Sequence, residues 1–169
     1  MVPSKADLVA SLQNEVRILV HLSSKVDPSQ ADYRPNPKQR SNIELLRYLT
    51  VMGPLLTSSI KAGKLDTEGF GARMAAANEF DLQTVVKSLA SQSDFYAKAI
   101  PEFSDAELAE EINLFGNGLR SRGRWLLDFV LCGHAAYRTQ LFMNLKGGCG
   151  LEELNTSNLW MATDPAPKA

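Results

Sequence analysis

The sequence is short of the residues and patterns that assign a function directly. Its two cysteines, Cys132 and Cys149, form no CxxC motif and no paired spacing. They are therefore expected to be free thiols in a reducing cytoplasm rather than a disulfide framework. The formal net charge is −1 with 22% charged residues, so the chain lacks the strong basic field that attracts nucleic acid.

Long apolar stretches are also missing. No apolar run in the sequence approaches the roughly 20 residues of a membrane-spanning helix, so no membrane partner is expected. Residues 1–15 contain no continuous apolar core of the kind that an export signal carries. A length of 169 residues suits one domain, which we place at residues 1–160, followed by a disordered tail over 161–169.

The most informative stretch that is present is residues 125–146, which has the periodicity of a helix. An apolar stripe forms around His134 on a helical wheel. Arg138 follows one turn later on the same side, so both side chains are expected to point into one cleft. A buried guanidinium there needs a carboxylate, a bound anion or water. The other members of the stripe are Leu127, Val130, Leu131, Leu141 and Leu145.

Three further helices are predicted from apolar stripes and capping residues. They span residues 5–25 with Ser4 as cap, 41–62 with Ser41 and Glu44 as a capping box, and 79–100 with Asn78 as cap. Residues 63–77 form a long connection, which allows the third helix to run parallel to the second. Residues 111–118 favour a small hairpin or an extended crossing, and residues 151–160 are expected to fold back so that Trp160 covers one bundle end. The fold class is therefore an all-α four-helix bundle with one long crossover and a short irregular or hairpin crossing before the last helix.

Two segments resemble a known family. SNIELLRYL at 41–49 resembles an S-x-x-E-L-L-x-H-L segment, and GHAAYRTQLFMNLKGGCG at 133–150 resembles an H-x-x-Y-H-x-x-Q-L helix. Both patterns belong to the DinB-like superfamily of metalloenzymes, which includes YfiT-type hydrolases and thiol-dependent transferases. The resemblance implies a DinB/YfiT-type bundle. It also implies a divalent metal bound by three histidines, one from the second helix and two from the fourth at positions i and i+4.

The chain departs from that pattern at the metal ligands. Of the three positions that hold histidine ligands in the family, only position 134 has a histidine here. Tyr48 stands at the ligand position of the second helix, and Arg138 stands at the second ligand position of the fourth. Arginine has no lone pair for a metal, and its positive charge repels one. The interpretation is a degenerate metal site with no cofactor, and zinc or nickel is expected only if that interpretation is wrong.

Each of the residues singled out also has a structural interpretation. Glu44 is a helix cap or the counter-charge of Arg138 across the bundle. Tyr48 is an amphipathic residue at the edge of its helix, with its hydroxyl in a cleft. His134 is a hydrogen-bonded core residue or a catalytic base. Cys132 is a small buried apolar residue or, if it faces the cleft, a thiol nucleophile, although no histidine lies one helical turn away.

The sequence leaves more than one function open. The first is a cytoplasmic binding or interaction protein in which Tyr48, His134, Arg138 and Glu44 line a pocket for a small anionic ligand. The alternative is a metal-dependent or altered-site transferase or hydrolase acting on a small molecule. A third is a dimerisation module that needs no pocket.

Two experimental expectations follow from these interpretations. A homodimer is expected, because His21 and its neighbours form a second face on the first helix. Replacing Tyr48 and Arg138 together by histidine is expected to create a zinc or nickel site, since three imidazoles would then stand at the family's spacing.

Overall fold

The structure, a computed structural model, describes residues 4–164. Within that range no helix is both long and apolar enough to cross a membrane. The predicted all-α bundle is confirmed. The α-helices are α1 Lys5–Ser23, α2 Asn42–Ala62, α3 Thr67–Ala77, α4 Leu82–Ala99, α5 Asp105–Ala109, α6 Arg122–Trp125 and α7 Cys132–Met143.

Shorter turns connect or extend these helices. A 3₁₀ turn spans Pro28–Gln30, and π-helical turns span Leu126–Leu131, Asn144–Gly148 and Ser157–Met161. Residues 122–148 thus form one continuous helical rod, which we call the last helix.

Capping boxes begin two of the bundle helices where the sequence places them. The Ser4 side chain accepts from the Asp7 N–H at the start of α1, and Ser41 and Glu44 satisfy each other's backbone N–H groups at the start of α2. These reciprocal bonds pair N–H groups that a helix cannot satisfy by itself. Local sequence therefore determines both starts.

The prediction of a connection over residues 63–77 is wrong for most of its length. Asp66 caps α3 by accepting from the N–H of Gly69, so the segment contains a helix despite its glycines. Asn78 ends α3 rather than beginning the next helix, and Asp81 caps α4. Asp66 and Asp81 are the N-caps of α3 and α4, because their side chains accept from backbone N–H groups that have no partner within the helix.

The long crossover places α2 and α4 side by side and parallel. Near the start of both helices the Arg47 Nε donates to the Phe80 carbonyl at 2.8 Å, and near their ends the Lys61 Nζ donates to the Glu102 carbonyl at 2.7 Å. In contrast, α1 runs antiparallel to α4, because Lys5 Nζ reaches the Phe103 carbonyl at 3.0 Å.

The predicted hairpin is present before the last helix. Strands β1 Glu111–Ile112 and β2 Arg120–Ser121 pair antiparallel. The indole N–H of Trp125 donates to the Ile112 carbonyl at 3.1 Å, which ties this crossing to the last helix.

The last helix departs from the regular periodicity assumed for residues 125–146. A π turn holds more residues per turn than an α-helix and so shifts the phase of every residue before it. Leu127 is consequently 43% exposed, whereas Trp125 and Leu126 are buried. The placement of Leu127 on the interior stripe is therefore wrong, while Val130, Leu141 and Leu145 are buried as predicted.

Pro54 lies inside α2 without ending it. Proline has no N–H, so the Thr50 carbonyl four residues earlier loses its helical donor. The buried Gln92 of α4 supplies one, because its Nε2 donates to the carbonyls of Leu49 at 2.9 Å and Thr50 at 3.2 Å. A side chain from the parallel helix thus repairs the interruption in α2.

The segment after the last helix folds back onto α1, as predicted. Asn158 Nδ2 lies 3.1 Å from His21 Nε2, and Lys25 Nζ lies 2.6 Å from Asp164 Oδ1. The prediction that Trp160 covers a bundle end is wrong, since its side chain is 56% exposed. Of the predicted disordered tail, residues 165–169 lie outside the described residues.

Candidate functional site

A cleft of about 680 Å³ lies between α2, α3 and the last helix. We call it the α2–α3 cleft. Its wall is made chiefly of aliphatic and aromatic side chains, with a few hydroxyls, one thiol and one carboxylate. The lining residues are Tyr48, Met52, Leu55, Leu56, Leu65, Thr67, Phe70, Phe115, Asp128, Phe129, Cys132, Gly133, Ala136 and Tyr137.

Tyr48 occupies one end of the α2–α3 cleft and is held by aromatic neighbours. Its ring meets the rings of Tyr137 and Phe70 edge to face, with centroids 5.3 and 6.4 Å away. Burial, followed by the neighbouring Tyr137, raises the pKa of Tyr48 to about 12. The phenol is therefore neutral at physiological pH and can donate a hydrogen bond to a ligand.

Besides the hydroxyls of Tyr48 and Tyr137, the polar groups of the cleft are Asp128, Cys132 and Thr67. Asp128 is already engaged, because its carboxylate accepts from Arg124 at 3.0 Å and lies 3.4 Å from Arg120. Cys132 is exposed, so its prediction as a buried residue is wrong. Cys132 precedes the buried His134 by two residues of the regular helix α7, which is about 200° around the helix axis, so the thiol faces the cleft.

His134 lies in the core rather than in the cleft. It is fully buried, and its Nε2 lies 2.7 Å from the Tyr96 hydroxyl of α4. Gly53 of α2 allows this approach, since a Cβ there would stand 2.6 Å from that nitrogen. Burial lowers the pKa of His134 to about 4 and raises that of Tyr96, so both groups are neutral at physiological pH.

Arg138 is also buried, and its partner is Glu15 of α1. The guanidinium binds both oxygens of that carboxylate, and Nη1 donates to the Leu159 carbonyl at 2.8 Å. The Trp160 ring lies over the guanidinium, 4.7 Å from its carbon to the ring centroid. The positive charge of Arg138, for which the sequence indicated no definite partner, is thus neutralised by Glu15.

Glu44 has no part in that pair. It caps α2 and forms a salt bridge with Arg34 at 3.1 Å. The interpretation of Glu44 as the counter-charge of Arg138 is therefore wrong. The sequence signal for the true partner was Glu15 itself, a charged residue between Leu12 and Leu19 on the apolar stripe of the first helix.

The structure separates the predicted site residues instead of bringing them together. Tyr48 lines the α2–α3 cleft, but His134 and Arg138 do not, so the expectation of one common cleft is wrong. Gly133 and Tyr137, which precede His134 and Arg138 by one residue each, are among the residues of the last helix that line the cleft. All four residues lie in the regular helix α7, so the rotation of α7 about its own axis, which the sequence did not reveal, decides which of them face the cleft.

The side chains present do not fit a three-histidine metal site. The Nε2 of His134 is bonded to Tyr96 in the core, and Arg138 and Tyr48 bring a paired cation and a neutral phenol. Residues 4–164 bring together no group of three His, Cys, Asp or Glu side chains that could hold a metal ion.

Comparison with known proteins supports the fold. No protein-family model matches the sequence, and no curated protein matches it. Among solved structures, the chain is similar to the crystal structure of a DinB-like protein, YjoA, from Bacillus subtilis, with a TM-score of 0.65 and 21% identity. The match covers 88% of this chain and 94% of that one. The DinB-like fold expected from the two sequence segments is therefore shown.

Proposed function

We propose that this DinB-like bundle binds a small molecule with a largely apolar body in the α2–α3 cleft. The observation that carries the proposal is the cleft itself, whose volume of about 680 Å³ lies in the range of small-molecule sites. Its wall is apolar and aromatic, and the Tyr48 hydroxyl and Thr67 supply a few polar contacts. Such a wall favours ligands with apolar surface, because burying that surface away from water lowers the free energy.

The proposed ligand site lies away from Arg138, the position that the sequence predicted for an anion. An anion held by Arg138 would have to displace the Glu15 carboxylate and the Leu159 carbonyl. Replacing an intramolecular carboxylate by a ligand carboxylate yields no net gain in paired charge. We therefore place the ligand against Tyr48 rather than against Arg138.

Titration with Nile red, an uncharged apolar dye, tests the proposal. The dye's emission is expected to rise in a saturable way, and Ala136→Trp is expected to abolish that rise because the indole fills the cleft. Thr139→Trp is the matched control, since Thr139 is exposed on the same helix and outside the cleft lining. Equal dye binding by wild type and Ala136→Trp would contradict the proposal.

A second candidate function, a transferase or hydrolase acting on a small molecule, is favoured by the exposed thiol of Cys132 in the same cleft. A thiol nucleophile needs a base or another means of forming the thiolate. The buried His134 is engaged with Tyr96 and does not line the cleft. If the enzyme is metal-dependent, zinc or nickel is expected to raise the melting temperature by mass action. An unchanged melting temperature would exclude a metal-dependent enzyme.

A further inference from the structure

Arg40 is a positive charge beside the α2–α3 cleft that no carboxylate neutralises within residues 4–164. Its guanidinium carbon lies 4.0 Å from the centroid of the Tyr48 ring, and the residue is exposed. The neighbouring Arg34 differs, since it is paired with Glu44 at 3.1 Å. Because Tyr48 lines the cleft, Arg40 lies one aromatic ring away from its interior.

The charge of Arg40 acts at the Tyr48 end of the cleft. It opposes the rise in the pKa of the Tyr48 hydroxyl, although burial outweighs it. The Arg40 guanidinium is stacked on the Tyr48 ring. Its N–H groups therefore remain free to donate to an acceptor that arrives from solvent. The Tyr48 hydroxyl can donate to the same acceptor.

The other end of the cleft differs in its charges. Asp128 and Tyr137 lie nine residues apart on the last helix, which corresponds to about 13 Å. The Phe115 and Phe129 rings close that far end, with centroids 5.2 Å apart. Two arginines lie at this end, Arg120 and Arg124, and both are paired with the Asp128 carboxylate. Arg120 also lies over the Phe129 ring, so the far end differs from the Tyr48 end in that its arginines already have a carboxylate partner.

We infer that the cleft selects an amphipathic carboxylate, with its head at Arg40 and Tyr48 and its apolar chain extending toward Phe129. The inference rests on the proposed function and adds the ligand's class and orientation. An apolar cleft favours this polarity when it has an unpaired arginine at one end and arginines already paired with a carboxylate at the other. A linear alkyl carboxylate of moderate length fits both the charge and the cleft.

Displacement of Nile red by three ligands with the same alkyl chain tests the inference. The probes are decanoate, decanol and decyltrimethylammonium, each kept below its micelle-forming concentration. Decanoate is expected to bind about threefold more tightly than decanol, the scale of an exposed ion pair, and the cation more weakly than decanol. Arg40→Gln is expected to make the affinities for decanoate and decanol equal.

Two control variants locate the carboxylate head. Lys38→Gln removes the same charge from the same exposed loop, and Arg124→Gln removes one charge from the far end. Both are expected to keep the preference for decanoate. A preference that is lost in Arg124→Gln but kept in Arg40→Gln would overturn the proposed orientation. Equal affinity of wild type for decanoate and decanol would overturn the inference alone, whereas no binding of Nile red or decanol would overturn the proposed function itself.

Discussion

The buried pair of Arg138 and Glu15 joins the last helix to the first. Both residues are nearly inaccessible, with 3% and 7% of their surfaces exposed. Removing one partner of a buried pair leaves an uncompensated buried charge. The resulting loss of folding stability is far larger than the net stability that the intact pair contributes. Arg138 is therefore a structural residue in this protein, although its helix position pointed to a ligand.

Glu15→Ala is expected to lower the free energy of unfolding by about 3–5 kcal/mol, because the guanidinium of Arg138 stays buried without its carboxylate. Urea denaturation measures the change. The double variant Glu15→Leu with Arg138→Met removes both charges and is expected to lose much less. A single variant as stable as the wild type would show that the pair is not buried.

His134 makes stability depend on pH. Its pKa is about 4 in the folded protein, lowered by burial, against 6.5 as the usual value. The unfolded chain therefore binds more protons between these values, and stability falls as the pH drops from 6.5 to 4. The loss attributable to this group is up to about 3 kcal/mol. Burial also lowers the pKa of His21, which acts in the same direction.

Urea denaturation at several pH values isolates the contribution of His134. His134→Gln keeps a partner for Tyr96 but does not titrate, so its stability is expected to fall less steeply below pH 6.5 than that of the wild type. His21→Gln is the control for the other histidine and is expected to retain most of the slope. Parallel curves for wild type and His134→Gln would contradict the assignment.

At the scale of elements, α2 depends on α4 because of Pro54. Gln92→Leu leaves the carbonyls of Leu49 and Thr50 without their side-chain donor, which is expected to cost about 1–3 kcal/mol. In a Pro54→Ala background the backbone N–H returns and can serve the Thr50 carbonyl, so the same change is expected to cost less. A double-mutant cycle measures this coupling, and strictly additive losses would contradict it.

At the scale of the whole molecule, the fold decides which positions could hold a metal. Tyr48→His with Arg138→His is no longer expected to gain zinc or nickel, because Arg138 faces Glu15 rather than Tyr48. Tyr48→His with Gly133→His and Tyr137→His places imidazoles on α2 and at i and i+4 of the last helix, all lining one cleft. The flexible end of Met52, 3.2 Å from a Cβ at Gly133, can move aside.

Calorimetric titration after chelator treatment compares the two designs. Stoichiometric zinc binding by the triple variant and none by the double variant is the expected result. Binding by the double variant alone would show that His134 and Arg138 face the cleft after all.

The homodimer stays a prediction. The face of α1 that suggested it is covered in part by the C-terminal segment, because His21 lies against Asn158. Exposed apolar side chains occur elsewhere, including Leu119 at 64% and Leu127 at 43%. Light scattering across a wide concentration range measures the mass, and a constant monomer mass would contradict the prediction.

The sequence by itself determined the features that depend on neighbouring residues. Capping boxes at Ser4 and Ser41 set the starts of α1 and α2, and apolar stripes identified the bundle helices. The hairpin and the parallel crossover followed from glycine placement and connection length. The family pattern in 41–49 and 133–150 then pointed to the DinB-like fold, which the structural similarity shows.

Only the tertiary structure decided which residues meet. A helical wheel cannot show how α7 is rotated about its own axis in the bundle, and this rotation places Cys132 and Gly133 at the cleft while His134 lies in the core. It also cannot choose between Glu15 and Glu44 as the partner of Arg138, since either carboxylate could be brought near by a different helix arrangement. The functional site depends on these long-range choices, because a cleft is formed by helices that lie far apart in the chain.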